Sequence, residues 1–150
     1  MARWGVAFNS GGSSVKSVGL LVAAASSPRR AKVTDWKIGS SQSPADNTFT
    51  HIIQACTTAG TGAAKTPMAS DAADTLASTI VAKDTITADP TLTAGAFYAN
   101  LAVNQRASFR WVAAPFFELI IPATASNGFA FAVSSASTTT FAEDVLYEEL

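Results

Sequence analysis

The chain has 150 residues, 48% hydrophobic and 14% charged, with a formal net charge of −1. The apolar share excludes a disordered chain, and the length suits one domain able to bury its own core. The balanced charge, without a basic stripe, weighs against the phosphate-driven affinity of nucleic-acid binders.

One cysteine, Cys56, and one histidine, His51, leave no internal disulfide framework and no zinc cluster. No cofactor or metal is expected. The charged share falls below the roughly 25% usual in soluble domains. Ser, Thr and Ala take the vacant places, giving a neutral surface suited to burial against protein neighbours. The opening Met-Ala-Arg-Trp-Gly lacks the apolar core of a signal peptide. The apolar run from Val18 to Ala25 is too short to cross a bilayer as a helix. These features predict synthesis in a cytoplasm, no export by the usual route and no membrane partner.

Short apolar runs alternate with Gly, Ser, Thr, Asn and Pro. The first, Trp4 to Phe8, ends in Asn9-Ser10-Gly11-Gly12-Ser13-Ser14, and segment 1–14 is expected to form an extended arm. Val15 to Ala25 follows, closed by Ser26-Ser27-Pro28. In Arg29 to Ile38, Ala31 and Val33 share one parity and Trp36 and Ile38 the other. A bulge near Thr34-Asp35 would put both pairs on one face. Thr48 to Thr57 is rich in β-formers.

Residues 59–65 read as a Gly/Ala/Thr-rich loop. Ser70-Asp71 is a plausible helix start, and Met68, Ala72, Leu76 and Ile80 recur at i+4. The spacing predicts a short connecting helix near 71–80, with an extended arm as the competing reading. Asp89-Pro90 marks a turn.

The later strands are clearer. Phe97 to Val103 is one. In the next, Ala107, Phe109, Trp111 and Ala113 face inward, while Arg106 and Arg110 face outward. Phe117, Leu119 and Ile121 alternate until Pro122. Asn127-Gly128 signals a turn. Phe129, Phe131 and Val133 then share one face, opposite Ala130 and Ala132. In the final run, Phe141 to Leu150, four acids surround Val145, Leu146 and Tyr147. These acids suit a charged edge strand that discourages pairing.

Together the runs predict an all-β fold. It is an antiparallel β-sandwich, jelly-roll-like, of eight or so strands and one short helix, with 1–150 as a single domain.

No chemistry stands out. Gly60-Thr61-Gly62-Ala63-Ala64-Lys65-Thr66 lacks the glycine before Lys-Thr that a phosphate loop needs. His51 and Cys56 lie five residues apart, roughly 16 Å along a strand and on opposite faces. That spacing suits a hydrogen-bonded strand histidine and a small buried thiol better than a catalytic pair. Asp71 and Asp74 read as helix-start acids. Trp4, Trp36 and Trp111 suit core packing, with the terminal Trp4 the one expected to be exposed. An exposed segment carrying Trp4, Val6 and Phe8 could pair with a neighbouring chain.

Two blocks carry a resemblance. Asn104-Gln105-Arg106-Ala107-Ser108-Phe109-Arg110-Trp111-Val112-Ala113-Ala114-Pro115 is followed by Glu118-Leu119-Ile120-Ile121-Pro122-Ala123-Thr124-Ala125-Ser126-Asn127-Gly128. With the acidic end Tyr147-Glu148-Glu149-Leu150, this last third resembles small β-sandwich structural proteins of tailed bacteriophage virions, of the capsid decoration or cement type. The resemblance implies a non-enzymatic virion protein on the capsid surface. Its implied partners are the major capsid protein and further copies of itself, with a trimer as one form. A tail- or fibre-associated receptor- or carbohydrate-binding module is the alternative. Trp4, Phe8, Arg106 and Arg110 are the expected partner contacts, and the arginines could pair with acids on a partner.

Overall fold

The computed structural model describes residues 2–12, 14–43 and 45–150. Among them are twelve strands and no helix. The strands are β1 (Ala2–Gly12), β2 (Ser17–Ala23), β3 (Ala31–Ser40), β4 (Thr48–Cys56), β5 (Thr61–Lys65), β6 (Met68–Ala69), β7 (Ile80–Ala88), β8 (Leu92–Asn104), β9 (Phe109–Val112), β10 (Leu119–Ile121), β11 (Gly128–Val133) and β12 (Ser137–Glu149). They form two antiparallel six-stranded sheets. One runs β10-β3-β12-β1-β6, with β9 also paired to β3; the other runs β5-β7-β2-β11-β4-β8. The arrangement is a β-sandwich.

Alternation explains the packing. From the first sheet, Trp4, Val6 and Phe8 of β1, Trp36 and Ile38 of β3, and Phe141, Val145 and Tyr147 of β12 point inward. They meet Leu21, Ile53, Phe129, Phe131 and Val133 of the second. Phe131 sits between the sheets' large rings, 6.0 Å from Phe8 and 6.1 Å from Trp36 between centroids. Gly19 lies beneath Phe8, where an added Cβ would come within 2.3 Å of the ring. A second cluster, of Val15, Leu20, Val22, Cys56 and Ile86, packs on the other side of β2 and β4.

The expected bulge is present. Val33 pairs with Tyr147 and Asp35 with Leu146, so Thr34 is the extra residue. Ala31, Val33, Trp36 and Ile38 consequently all reach the core.

Four expectations are corrected. Residues 2–12 do not form an arm; β1 lies inside the first sheet, registered with β12 from Ala2↔Glu149 to Ser10↔Phe141. That makes β12 an interior strand with β1 and β3 on its two sides, not a charged edge. Its Glu148 is held by both neighbours, pairing with Arg3 at 2.7 Å and Lys32 at 3.8 Å. Residues 61–65, expected as loop, form β5 along β7. Gly62 permits this, because a Cβ there would meet the Asp84 carbonyl oxygen at 2.6 Å.

The expected helix at 71–80 is also absent. Asp71 and Asp74 each accept the N–H two residues on, from Ala73 and Leu76 at 2.9 Å. These local turns compete with helical bonding. The end of the segment is tied to β12, where Glu149 accepts from the Thr79 backbone N–H and hydroxyl, both at 2.9 Å. Ile80 then begins β7.

Candidate functional site

Acid–base chemistry would start from His51. It projects inward from β4 and meets Glu143, which projects inward from β12 of the facing sheet. His51 Nδ1 and Glu143 Oε1 lie 3.2 Å apart, and Trp36 Nε1 donates to Glu143 Oε2 at 2.9 Å. Phe141 stacks edge-on to the imidazole, at 5.0 Å between centroids. Burial pushes the Glu143 carboxyl above its ordinary range, against the lowering effect of its bonds to His51 and Trp36. Both side chains are almost wholly shielded. The cavity beside His51 measures about 10 Å³, room for one water at most. This arrangement holds the sheets together and has no space for a substrate.

Cys56 belongs to the cluster on the other face of the sheet. Its thiol is pushed up to about 12 by burial, offset in part by a backbone hydrogen bond from Gly128. Among the described residues, no three His, Cys, Asp or Glu side chains converge as metal ligands. Lys65 of the glycine-rich segment lies on a strand and pairs with the buried Asp84 at 2.8 Å. No helix among the described residues is long and apolar enough to cross a membrane.

The expected contact residues separate into two pairs. Trp4 (2% exposed) and Phe8 (1%) are core residues of β1 and cannot meet a partner in this fold. Inward alternation on an interior strand buries them, which overturns their assignment as contacts. Arg106 and Arg110 do reach the surface, but each has an acid within the chain. Arg106 Nε donates to Asp46 at 2.7 Å. Arg110 clamps the buried Asp35 with two nitrogens.

The surface feature that alternation missed lies between β9 and β10. Both strands pair with β3, forming one edge of the first sheet. The chain between them leaves that edge opposite the Thr34 bulge, where the Ala113 N–H donates to the Thr34 carbonyl at 2.9 Å. It then turns back on itself, with the Phe117 N–H donating to the Ala114 carbonyl at 2.9 Å. Pro115 and Phe116 are the central residues of this turn, and Phe116 has φ +71°. A turn with Pro first and a positive φ second ordinarily takes Gly or Asn at the second place. Here that place holds a phenylalanine that is 97% exposed, next to Phe117 at 76%. A bulky side chain in this backbone region costs about 1–3 kcal/mol, and such strained positions cluster at functional sites.

A second apolar surface lies at the opposite edge of the same sheet. A cavity of about 490 Å³ opens between the 66–69 segment, the 74–78 segment and the start of β7, with Trp4 in its lining. It continues around Leu76 and Ala77 into a smaller hollow, of about 450 Å³, bordered by Arg29 and Leu150. Met68 and Leu76 stand at its rim, 70% and 68% exposed. The third open surface is β8, which ends the second sheet and carries no charged residue from Leu92 to Asn104.

No family, curated protein or solved structure matches the chain.

Proposed function

We propose that the chain is a structural protein of a tailed bacteriophage virion, decorating or cementing the capsid shell through protein–protein contacts and catalysing no reaction. The observation that carries this reading is the projecting Pro115-Phe116-Phe117 turn. Exposed adjacent aromatics on a strained turn are costly to a free monomer and become favourable only when a partner covers them. The two sequence blocks that resemble phage structural proteins, Asn104 to Pro115 and Glu118 to Gly128, meet at this turn, the first ending on its Pro115.

The sandwich is of the jelly-roll kind in this reading. Support comes from four nested pairings: β1 with β12, β2 with β11, β3 with β9 and β10, and β4 with β8. Winding one long hairpin into two sheets gives that nesting. Strands β5, β6 and β7 are then an insertion between β4 and β8 that widens the sheets at their edges. Such a scaffold suits a protein that binds by shape, and the His51–Glu143 pair acts in it as an internal tie. The partners are the major capsid protein and further copies of the chain, on the capsid surface, with no cofactor, nucleic acid or membrane involved.

A tail- or fibre-associated binding module is the second reading. Phe97 and Tyr98, about half exposed on the open strand β8, favour it as a platform for a glycan or receptor. Separating purified virions into capsids and tails, and quantifying the chain in each, distinguishes the two. The capsid fraction is the expected location; the tail fraction favours the second reading, and absence from both sinks both.

A further inference from the structure

We infer that copies of this chain associate head to tail, the Phe116-Phe117 turn of one copy entering the Met68–Leu76 groove of the next. The inference deepens the self-association part of the proposed function and rests on that part alone.

The two surfaces match in size and chemistry. A cavity of roughly 150 Å³ accepts a benzene ring, so the groove at about 490 Å³ accepts both phenyl groups. Its lining is mostly apolar, with Pro67, Met68, Leu76 and Val81 beside the polar Lys65 and Asp74.

Charge also matches. Glu118 follows the turn directly, and Arg29 borders the groove where it continues past Leu76. Among the described residues neither has an ion-pair partner within the chain. Docking the turn brings this acid and this base to the same rim.

Topology separates the two surfaces. The turn leaves the β9/β10 edge of the first sheet and the groove lies at its β6 edge, four strand spacings or roughly 19 Å away. One copy cannot fill its own groove. Repeated from copy to copy, the contact is heterologous and closes as a ring or extends as a chain according to the rotation between copies; a dimer with each turn in the other's groove is the two-fold arrangement of the same contact.

Light scattering after size exclusion tests this across micromolar to millimolar concentrations. The wild-type chain is expected to run at a multiple of its 15.5 kDa mass. The double variant Phe116→Ala/Phe117→Ala and the groove variant Leu76→Glu alter exposed side chains, so both should fold and run as monomers. Mixing them in equal amounts should restore a dimer, because one variant keeps its groove and the other its turn. Glu118→Arg and Arg29→Glu should each weaken association, and together recover it. A monomeric wild type, an oligomer unaffected by the aromatic substitutions, or failure of the two monomeric variants to complement overturns the inference. Binding of wild type to shells is scored separately: a monomer that binds shells overturns head-to-tail docking alone, and an oligomer that ignores shells overturns the cement role alone.

Discussion

Glu143 on one sheet and His51 on the other lie 3.2 Å apart at the centre of the sandwich, with the Trp36 indole N–H held on the second carboxylate oxygen. The only histidine of the chain thus joins the two layers, through a carboxyl group that burial pushes above its ordinary value of 4.5. Such an acid binds its proton more tightly when folded. Its contribution to stability is complete below the unfolded value and declines as pH rises through the raised one. Glu143→Gln keeps the polar contacts and cannot ionise. Urea unfolding at a series of pH values should therefore show a flatter dependence above pH 4.5 in this variant than in wild type. An unchanged slope would assign the dependence to other groups. Glu143→Ala strands the Trp36 indole N–H and the His51 ring nitrogen in a dry core and should cost about 2–4 kcal/mol at the acid end of the series, less as pH rises.

Close approach at two glycines sets up a second comparison. A Cβ at Gly128 would meet the Leu21 carbonyl oxygen at 2.1 Å, and one at Gly19 the Phe8 ring at 2.3 Å, whereas Gly39 has open space. Gly19→Ala should destabilise by about 1–3 kcal/mol. Gly128→Ala should cost at least as much, because a backbone cannot yield as a ring can. Gly39→Ala should stay within about 0.5 kcal/mol. Equal midpoints for all three in denaturant unfolding would contradict the close packing of β11 on β2.

Much of this fold was legible in residue parity. Phe129, Phe131 and Val133 against Ala130 and Ala132, the Thr34 bulge, and Phe109 and Trp111 against Arg110 all follow from period two and the need to bury rings on one side. What parity cannot convey is lateral order within a sheet. Acids on β12 suggested an edge, yet Glu148 is held by Arg3 and Lys32 from strands on either side. Trp4 and Phe8 seemed exposed because they lie near the chain start, yet β1 runs between β12 and β6. Segment 59–80 misled for a different reason. Small residues adopt whatever the neighbouring backbone imposes, so β5 exists because β7 is beside it. Of the i+4 series Met68, Ala72, Leu76 and Ile80, only Ile80 is buried, and it is buried as the first residue of β7. The contact turn had a local signal that alternation overrode: Phe116 and Phe117 are adjacent, follow Pro115, and cannot both face a core from one strand.

The strain at Phe116 predicts a separation of stability from binding. Asn tolerates a positive φ and suits the second central place of this turn. Phe116→Asn should leave stability unchanged or raise it by up to about 1 kcal/mol, whereas truncating a core phenylalanine costs about 3–5 kcal/mol. The same variant should bind its partners more weakly. Thermal unfolding beside a binding assay checks both halves. A clear loss of stability would mean that Phe116 packs within the chain.

Cys56 reports on opening of the second sheet. Its thiol, pushed up to about 12 by burial among Leu20, Val22 and Ile86, stays protonated and inaccessible in the folded chain. Alkylation near pH 8 should be slow and should accelerate with denaturant in step with unfolding. Rapid labelling of the native chain would contradict the burial of this cluster.

The central claim, that the chain decorates or cements a capsid shell, is tested most directly by co-sedimentation with empty shells of the source phage. Saturable binding is expected at a fixed ratio of chains to capsid subunits, weakened by replacing Phe116 and Phe117, with no binding to unassembled subunits. A chain that stays in the supernatant at every concentration, while other virion components bind the same shells, would contradict it.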